Sequence, residues 1–152
     1  MPVTMQQVRR ALDPDEPDYD QAAKLGPEAL PHLATLISGN DVGLAAKAAS
    51  LAGRIPSEAS VAVLERGAVH RDARVRVAAA SAAGALPAAG ASRVLARLVT
   101  DRDVGVQKFA LRSVPDRPAP ELLKSLESLR GRTGTAPLDG LIAETLTRVR
   151  PK

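Results

Sequence analysis

The chain of 152 residues contains no cysteine and no tryptophan, and Tyr19 and Phe109 are its one tyrosine and one phenylalanine. Without cysteine there are no disulfides, thiolate metal sites or cysteine nucleophiles. No apolar run approaches the roughly 20 residues of a membrane-spanning helix. The opening Met-Pro-Val-Thr-Met-Gln-Gln-Val-Arg-Arg lacks the apolar stretch of a secretory signal, and the expectation is a cytoplasmic protein. Gly-x-Ser-x-Gly, His-Glu-x-x-His and a phosphate loop are also absent. The sequence therefore nominates no catalytic residue, no cofactor and no metal ligand set.

Alanine is abundant instead, with twenty-eight copies. It has the highest helix propensity. A core filled with it lets helices approach toward the short end of the roughly 8–10 Å packing range. The net charge of +4 is unevenly spread: residues 1–20 carry −3 and the remainder +7. A basic body attracts acidic partners, protein or nucleic acid, through a field that salt weakens.

A period of 31 residues organises the middle of the chain: Asp41, Asp72 and Asp103 share one phase. Leu44, Val75 and Val106 follow three residues later, Ala48, Ala79 and Ala110 seven later, and Pro56, Pro87 and Pro118 fifteen later. Each repeat reads as two antiparallel helices. The first carries Leu33, Leu64 or Leu95, then Ile37, Ala68 or Val99. The second begins after the Asp, whose carboxylate accepts an exposed backbone amide. Positions three, seven, ten and eleven after the Asp fall on one helical face; in the middle repeat these are Val75, Ala79, Ala82 and Ala83. Gly53 and Gly84 end two of these helices, and Pro115 makes the third stop sooner.

At the N-terminus, Met5, Val8 and Leu12 have helical spacing, and Thr4 with Gln7 forms a capping-box pattern. The prolines of the acidic segment Asp13–Asp20 break this helix. A short helix from Tyr19 to Leu25 is expected to end at Gly26 in a left-handed C-cap, and Pro27 opens the first repeat. At the other end, Leu122, Leu123, Leu126 and Leu129 mark one helix, and Leu138, Leu141, Ile142, Leu146 and Val149 a last one. Arg148, Arg150 and Lys152 suit the dipole at its end. The expected layout is one domain, 1–152: cap helices 1–26, repeats 27–56, 57–87 and 88–118, and a divergent capping repeat 119–152.

The run Asp72-Ala-Arg-Val-Arg-Val-Ala-Ala-Ala-Ser-Ala-Ala-Gly84 resembles the second-helix pattern of HEAT repeats, in particular the short class of phycobilisome-lyase-type proteins. Asp41–Gly53 keeps the Asp, Leu44, Ala48, Leu51 and Gly53 but has Ala45 where the family has Arg. Asp103–Pro115 keeps Val106 and Ala110 and has Gln107 there. The resemblance implies an all-α fold, a right-handed α-α superhelix whose second helices line a concave binding face. It also implies a ladder of Asp and Arg between repeats, here Asp41, Asp72, Arg76 and Asp103. With only Arg76 to serve it, that ladder is incomplete and the joints are expected to be more adaptable. Relatives of the fold include bilin lyases and alkylbase DNA glycosylases, but two aromatic side chains do not build the glycosylase's aromatic cleft, and no chromophore pocket is recognisable.

Positions two, five, six, nine and thirteen after each Asp point away from the core. They present Lys47, Ser50 and Arg54, then Arg74, Val77 and Ser81, then Lys108, Phe109 and Arg112, among Gly43, Ala46, Ala78 and Gly105. Such a smooth basic groove suits an acidic helix or peptide, with Phe109 as an apolar anchor. The alternative is a solvated basic helix face. His32 and His70, the Asp pairs 13/15, 18/20 and 101/103, and Gly131-Arg-Thr-Gly134 read as structural or turn residues rather than metal or phosphate sites. The expected function is a non-catalytic scaffold or adaptor that binds an acidic segment of a partner protein, with Asp13–Asp20 as an internal competitor for the groove. Nucleic-acid binding by the same cations is the alternative, disfavoured by the scarcity of aromatic stacking platforms.

Overall fold

The computed structural model describes residues 2–132 and 136–149. Among them there is no β-strand, and no helix is long and apolar enough to cross a membrane. The helices are α1 (Met5–Leu12), α2 (Tyr19–Ala22), α3 (Leu30–Ile37), α4 (Val42–Ala52), α5 (Ala59–Ala68), α6 (Ala73–Ala83), α7 (Ala88–Leu98), α8 (Val104–Ser113), α9 (Pro120–Glu127) and α10 (Asp139–Val149). Short 3-10 turns cover Ala23–Leu25, Pro27–Ala29 and Ala136–Leu138.

The helix starts follow from local chemistry. Thr4 and Gln7 cap α1 reciprocally, each side chain taking the other residue's amide. Asp41 and Asp103 accept the amides of Leu44 and Val106 at 3.0 Å, opening α4 and α8. Asp72 instead accepts the amide of Arg74 at 2.9 Å to open α6. An exposed-cap Asp of this kind is worth about 1 kcal/mol to a helix. The third of these helices does end early, at Ser113, because Pro115 cannot continue it.

Gly26 departs from the expected left-handed cap. Its φ of 78° is positive, but its ψ of −173° is extended, and it joins two 3-10 turns after α2 has stopped at Ala22. The reason is Pro27, whose ring excludes helical ψ from the preceding residue. Gly53 and Gly84 are right-handed C-caps, with φ of −66° and −62°. At Gly53 the requirement is space: an added Cβ would lie 2.6 Å from the carbonyl oxygen of Ala82 and 2.7 Å from its Cβ.

Helices α3, α5, α7 and α9 form one row, each against the next, and α4, α6 and α8 a second row joined by α10. The rows pack on each other through α3 with α4, α5 with α6 and α7 with α8. Helices α1 and α2 stand at the α3–α4 end. Leu33, Leu64 and Leu95 are fully buried between the rows, each contributing about 1.5–3 kcal/mol through removal from water. The buried face of the second-row helices is wider than the periodicity alone indicates: Arg76 and Ala80 are buried with Val75, Ala79, Ala82 and Ala83. Helix α6 has a neighbour on each side as well as the first row beneath it, so two extra positions lose contact with water.

At the C-terminal end, Leu122, Leu126, Leu129, Leu138, Ile142, Leu146 and Val149 are buried. Arg148 stands in the last turn of α10 as expected, and it does more there. Its guanidinium donates to the Val114 carbonyl at 2.9 Å and pairs with Asp116 at 2.7 Å, tying α10 to the end of α8. The expected roles of Arg150 and Lys152 lie outside the described residues, as does the Thr-Gly part of Gly131–Gly134.

Candidate functional site

The nine residues nominated for the exposed face of α4, α6 and α8 fall into three groups. On α4 and the turn that follows it, Lys47 and Arg54 are engaged by the chain's own acidic segment. Lys47 Nζ donates to the Pro14 carbonyl at 2.8 Å, and Arg54 Nη1 meets Asp20 Oδ1 at 2.6 Å. The Arg54 guanidinium lies over the Tyr19 ring, 5.7 Å from its centroid. Burial raises the Tyr19 phenol pKa, against the lowering influence of nearby Ser50 and Arg54. Residues 14–20 thus form a strap over this helix, anchored by buried Pro17 and by Asp18, which caps α2 through the Gln21 amide. Asp13, Asp15 and Glu16 are exposed and form no ion pair among the described residues.

On α6, Arg74 folds back onto its own cap, with Nε to Asp72 Oδ1 at 3.1 Å and Nη2 to Oδ2 at 2.9 Å. This contact, with the Arg74 amide, lowers the Asp72 carboxyl to about 2, and the Arg74 guanidinium is raised in return. Val77 is half-buried against the core, and Ser81 is exposed. On α8, Lys108, Phe109 and Arg112 are all exposed. Phe109 is 39 % accessible, and neither cation has a carboxylate partner among the described residues.

The residues expected to make the inter-repeat ladder divide differently. Asp41, Asp72 and Asp103 are helix caps, and the partner of Arg76 is none of them. Arg76 is buried and forms a two-pronged pair with Asp101, Nε to Oδ2 at 2.9 Å and Nη2 to Oδ1 at 3.2 Å. Its remaining Nη1 donates to the carbonyls of His70 and Arg71. Spacing to the capping Asp misled the expectation, because the pair crosses from α6 to the turn before α8, 25 residues on. Gln107, one period after Arg76, is also buried and donates to the Val99 carbonyl at 3.1 Å. Ala45, one period before, has no polar side-chain atom and is fully buried.

His70 stands one period before Asp101, and the two side chains make the same bond. His70 Nδ1 accepts the Asp72 amide and Asp101 Oδ1 the Asp103 amide, each at 2.9 Å. His32 Nε2 contacts the Val3 carbonyl at 2.9 Å, fastening the segment before α1 to α3. Both histidines are thus used in the fold.

A feature the sequence did not reveal is a cleft of about 660 Å³ between the turns after α4 and α6. Ile55, Pro56, Val61, Leu86 and Gly90 line it, with Asp20 and Arg54 at its edge. A smaller hollow of about 370 Å³ lies beside it between Tyr19, Arg54 and Ser81. Both are formed by turns brought together only when the second-row helices stack.

Compared with protein-family models and with curated proteins, the chain matches none. What it can do must be read from the residues themselves.

Proposed function

We propose that this chain is a HEAT-like array, a right-handed superhelix with α4, α6 and α8 on its concave side, acting without bond chemistry as a scaffold or adaptor for an acidic segment of a partner protein. The observation that carries this reading is on α8: Lys108 and Arg112 flank exposed Phe109 and have no carboxylate partner among the described residues. An aromatic anchor between unpaired cations supplies both the apolar contact and the charge that an acidic helix or peptide needs. Helix α6 alongside extends the surface through Arg74 and Ser81. The long-range field of a body carrying +7 outside the first twenty residues would speed encounter with acidic partners.

The test is reversal of charge at Arg74, Lys108 and Arg112 to Glu, followed by titration of a labelled octaglutamate peptide and, separately, a short DNA duplex. Loss of peptide capture with unchanged helical circular dichroism supports this face. Unchanged peptide capture rejects it. Preferential duplex binding by the parent chain, with affinity falling steeply in salt, would replace the reading with nucleic-acid binding.

A further inference from the structure

We propose that residues 14–20 are a built-in pseudo-ligand: they occupy the α4 third of the basic face and must be displaced before a partner engages all of it. The inference rests on the reading of α4, α6 and α8 as a docking face, and it defines the partner's chemistry more closely.

The strap makes the contacts expected of an acidic ligand. A carboxylate, Asp20, pairs with Arg54; an aromatic ring, Tyr19, lies under the same guanidinium and borders one hollow with Ser50; a backbone carbonyl, that of Pro14, takes Lys47. Thus Lys47 on α4 and Arg54 in the turn after it are both taken by one eight-residue segment, Asp13–Asp20, with five acids. Among the described residues, the equivalent strips on α6 and α8 carry no such cover. A competing segment would combine acidic residues with an aromatic side chain, reproducing Asp20 and Tyr19 at α4 while reaching Lys108 and Arg112 at α8.

The latch is also weak enough to open. Arg54 and Asp20 are 48 % and 87 % accessible in their side chains, and such exposed pairs are weak and screened by salt. Asp13, Asp15 and Glu16 add mutual repulsion without a partner of their own. Buried Val8 and Leu12 keep α1 in place on α3 and α4, so the strap can lift while α1 stays docked. A face covered for most of the time binds with an affinity lowered by the fraction uncovered.

The probe is unlabelled octaglutamate, which has no fluorophore, so emission comes from Tyr19 in a chain with one tyrosine and no tryptophan. In the full chain, binding should change Tyr19 emission and increase its quenching by acrylamide. The strap variant Asp13→Asn, Asp15→Asn, Glu16→Gln, Asp20→Asn should bind roughly three- to tenfold more tightly. A control with the same net charge, Glu28→Gln, Glu58→Gln, Glu121→Gln, Glu144→Gln, leaves the strap intact and should gain less. Equal gains in the two variants with a silent Tyr19 would overturn the strap as competitor and leave the basic face standing. Absence of octaglutamate binding by parent and variants alike would overturn both.

Discussion

The joints on either side of α6 link helices of the same kind at the same step along the chain, and they are held by opposite means. Between α4 and α6 the contact is dry and close: Ala45 is buried without a polar group, and Gly53 lies against the Ala82 backbone with no room for a Cβ. Between α6 and α8, Arg76 is clamped by Asp101 and two carbonyls, and a Cβ at Gly84 would meet Ser113 at 3.4 Å, an ordinary contact. One repeat backbone therefore accepts either close approach or a buried polar clamp, and the two joints differ at the residue four after the capping Asp, Ala45 in one and Arg76 in the other. Close approach depends on volume, whereas the clamp depends on every partner being present.

The largest effect should come from breaking the clamp. Arg76→Ala leaves Asp101 buried without its counter-charge and should cost about 3–5 kcal/mol in denaturant unfolding. Amide exchange should accelerate first at the start of α8. A loss near 1 kcal/mol, spread evenly over the three second-row helices, would show that the two joints do not differ in kind.

The clamp can also be transplanted. Ala45→Arg alone buries an unpaired cation and should destabilise by several kcal/mol. Adding His70→Asp places a carboxylate one period before Asp101 and should recover a large part of that loss. Double-mutant-cycle coupling near zero would mean that the α4–α6 joint is too narrow to hold the pair.

At the glycines the comparison reverses. Gly53→Ala forces the Ala82 backbone away and should cost about 1–3 kcal/mol. Gly84→Ala, in a right-handed conformation with space for a methyl group, should lie within about 0.5 kcal/mol of the parent or slightly above it. Equal costs at both positions would refute the difference in closeness.

The smallest effect belongs to the start of α6, shared by both joints. Asp72 has a folded-state pKa of about 2 against an ordinary 3.8. A depressed carboxylate favours the fold fully above its unfolded pKa, and that contribution disappears as pH falls through the window from about 4 to 2. Carboxyl titration by NMR should find the low midpoint in the parent and a return toward the ordinary value in Arg74→Ala. An unmoved midpoint would mean that the amide of residue 74 holds the charge by itself.

Much of the architecture was legible because its signals are local or periodic. The capping carboxylates act within three residues, Leu33, Leu64 and Leu95 repeat in phase, and Pro115 shortens α8 in its own neighbourhood. Gly26 was half legible: its positive φ was expected, but the effect of Pro27 on its ψ was overlooked. The outward positions of Lys108, Phe109 and Arg112 were readable from helical spacing. The charge of Asp13–Asp20 already marked that segment as a competitor for the groove, but that it would take Lys47 and Arg54 was not readable, since their partners lie 33 and 34 residues earlier and helical spacing carries no information about such pairings.

By itself, the sequence determined that the chain is helical, where most helices begin, and which leucines and alanines face inward, because backbone capping and the helical period depend on neighbours a few bonds away. Tertiary structure decided that Arg76 meets Asp101, that Gly53 must remain without a side chain, that Arg148 reaches the end of α8, and that the acidic strap lies on α4. Those outcomes require helices from different repeats to stack first. Only then are a charge and its counter-charge, or a backbone and its neighbour, close enough for Coulomb attraction and excluded volume to act.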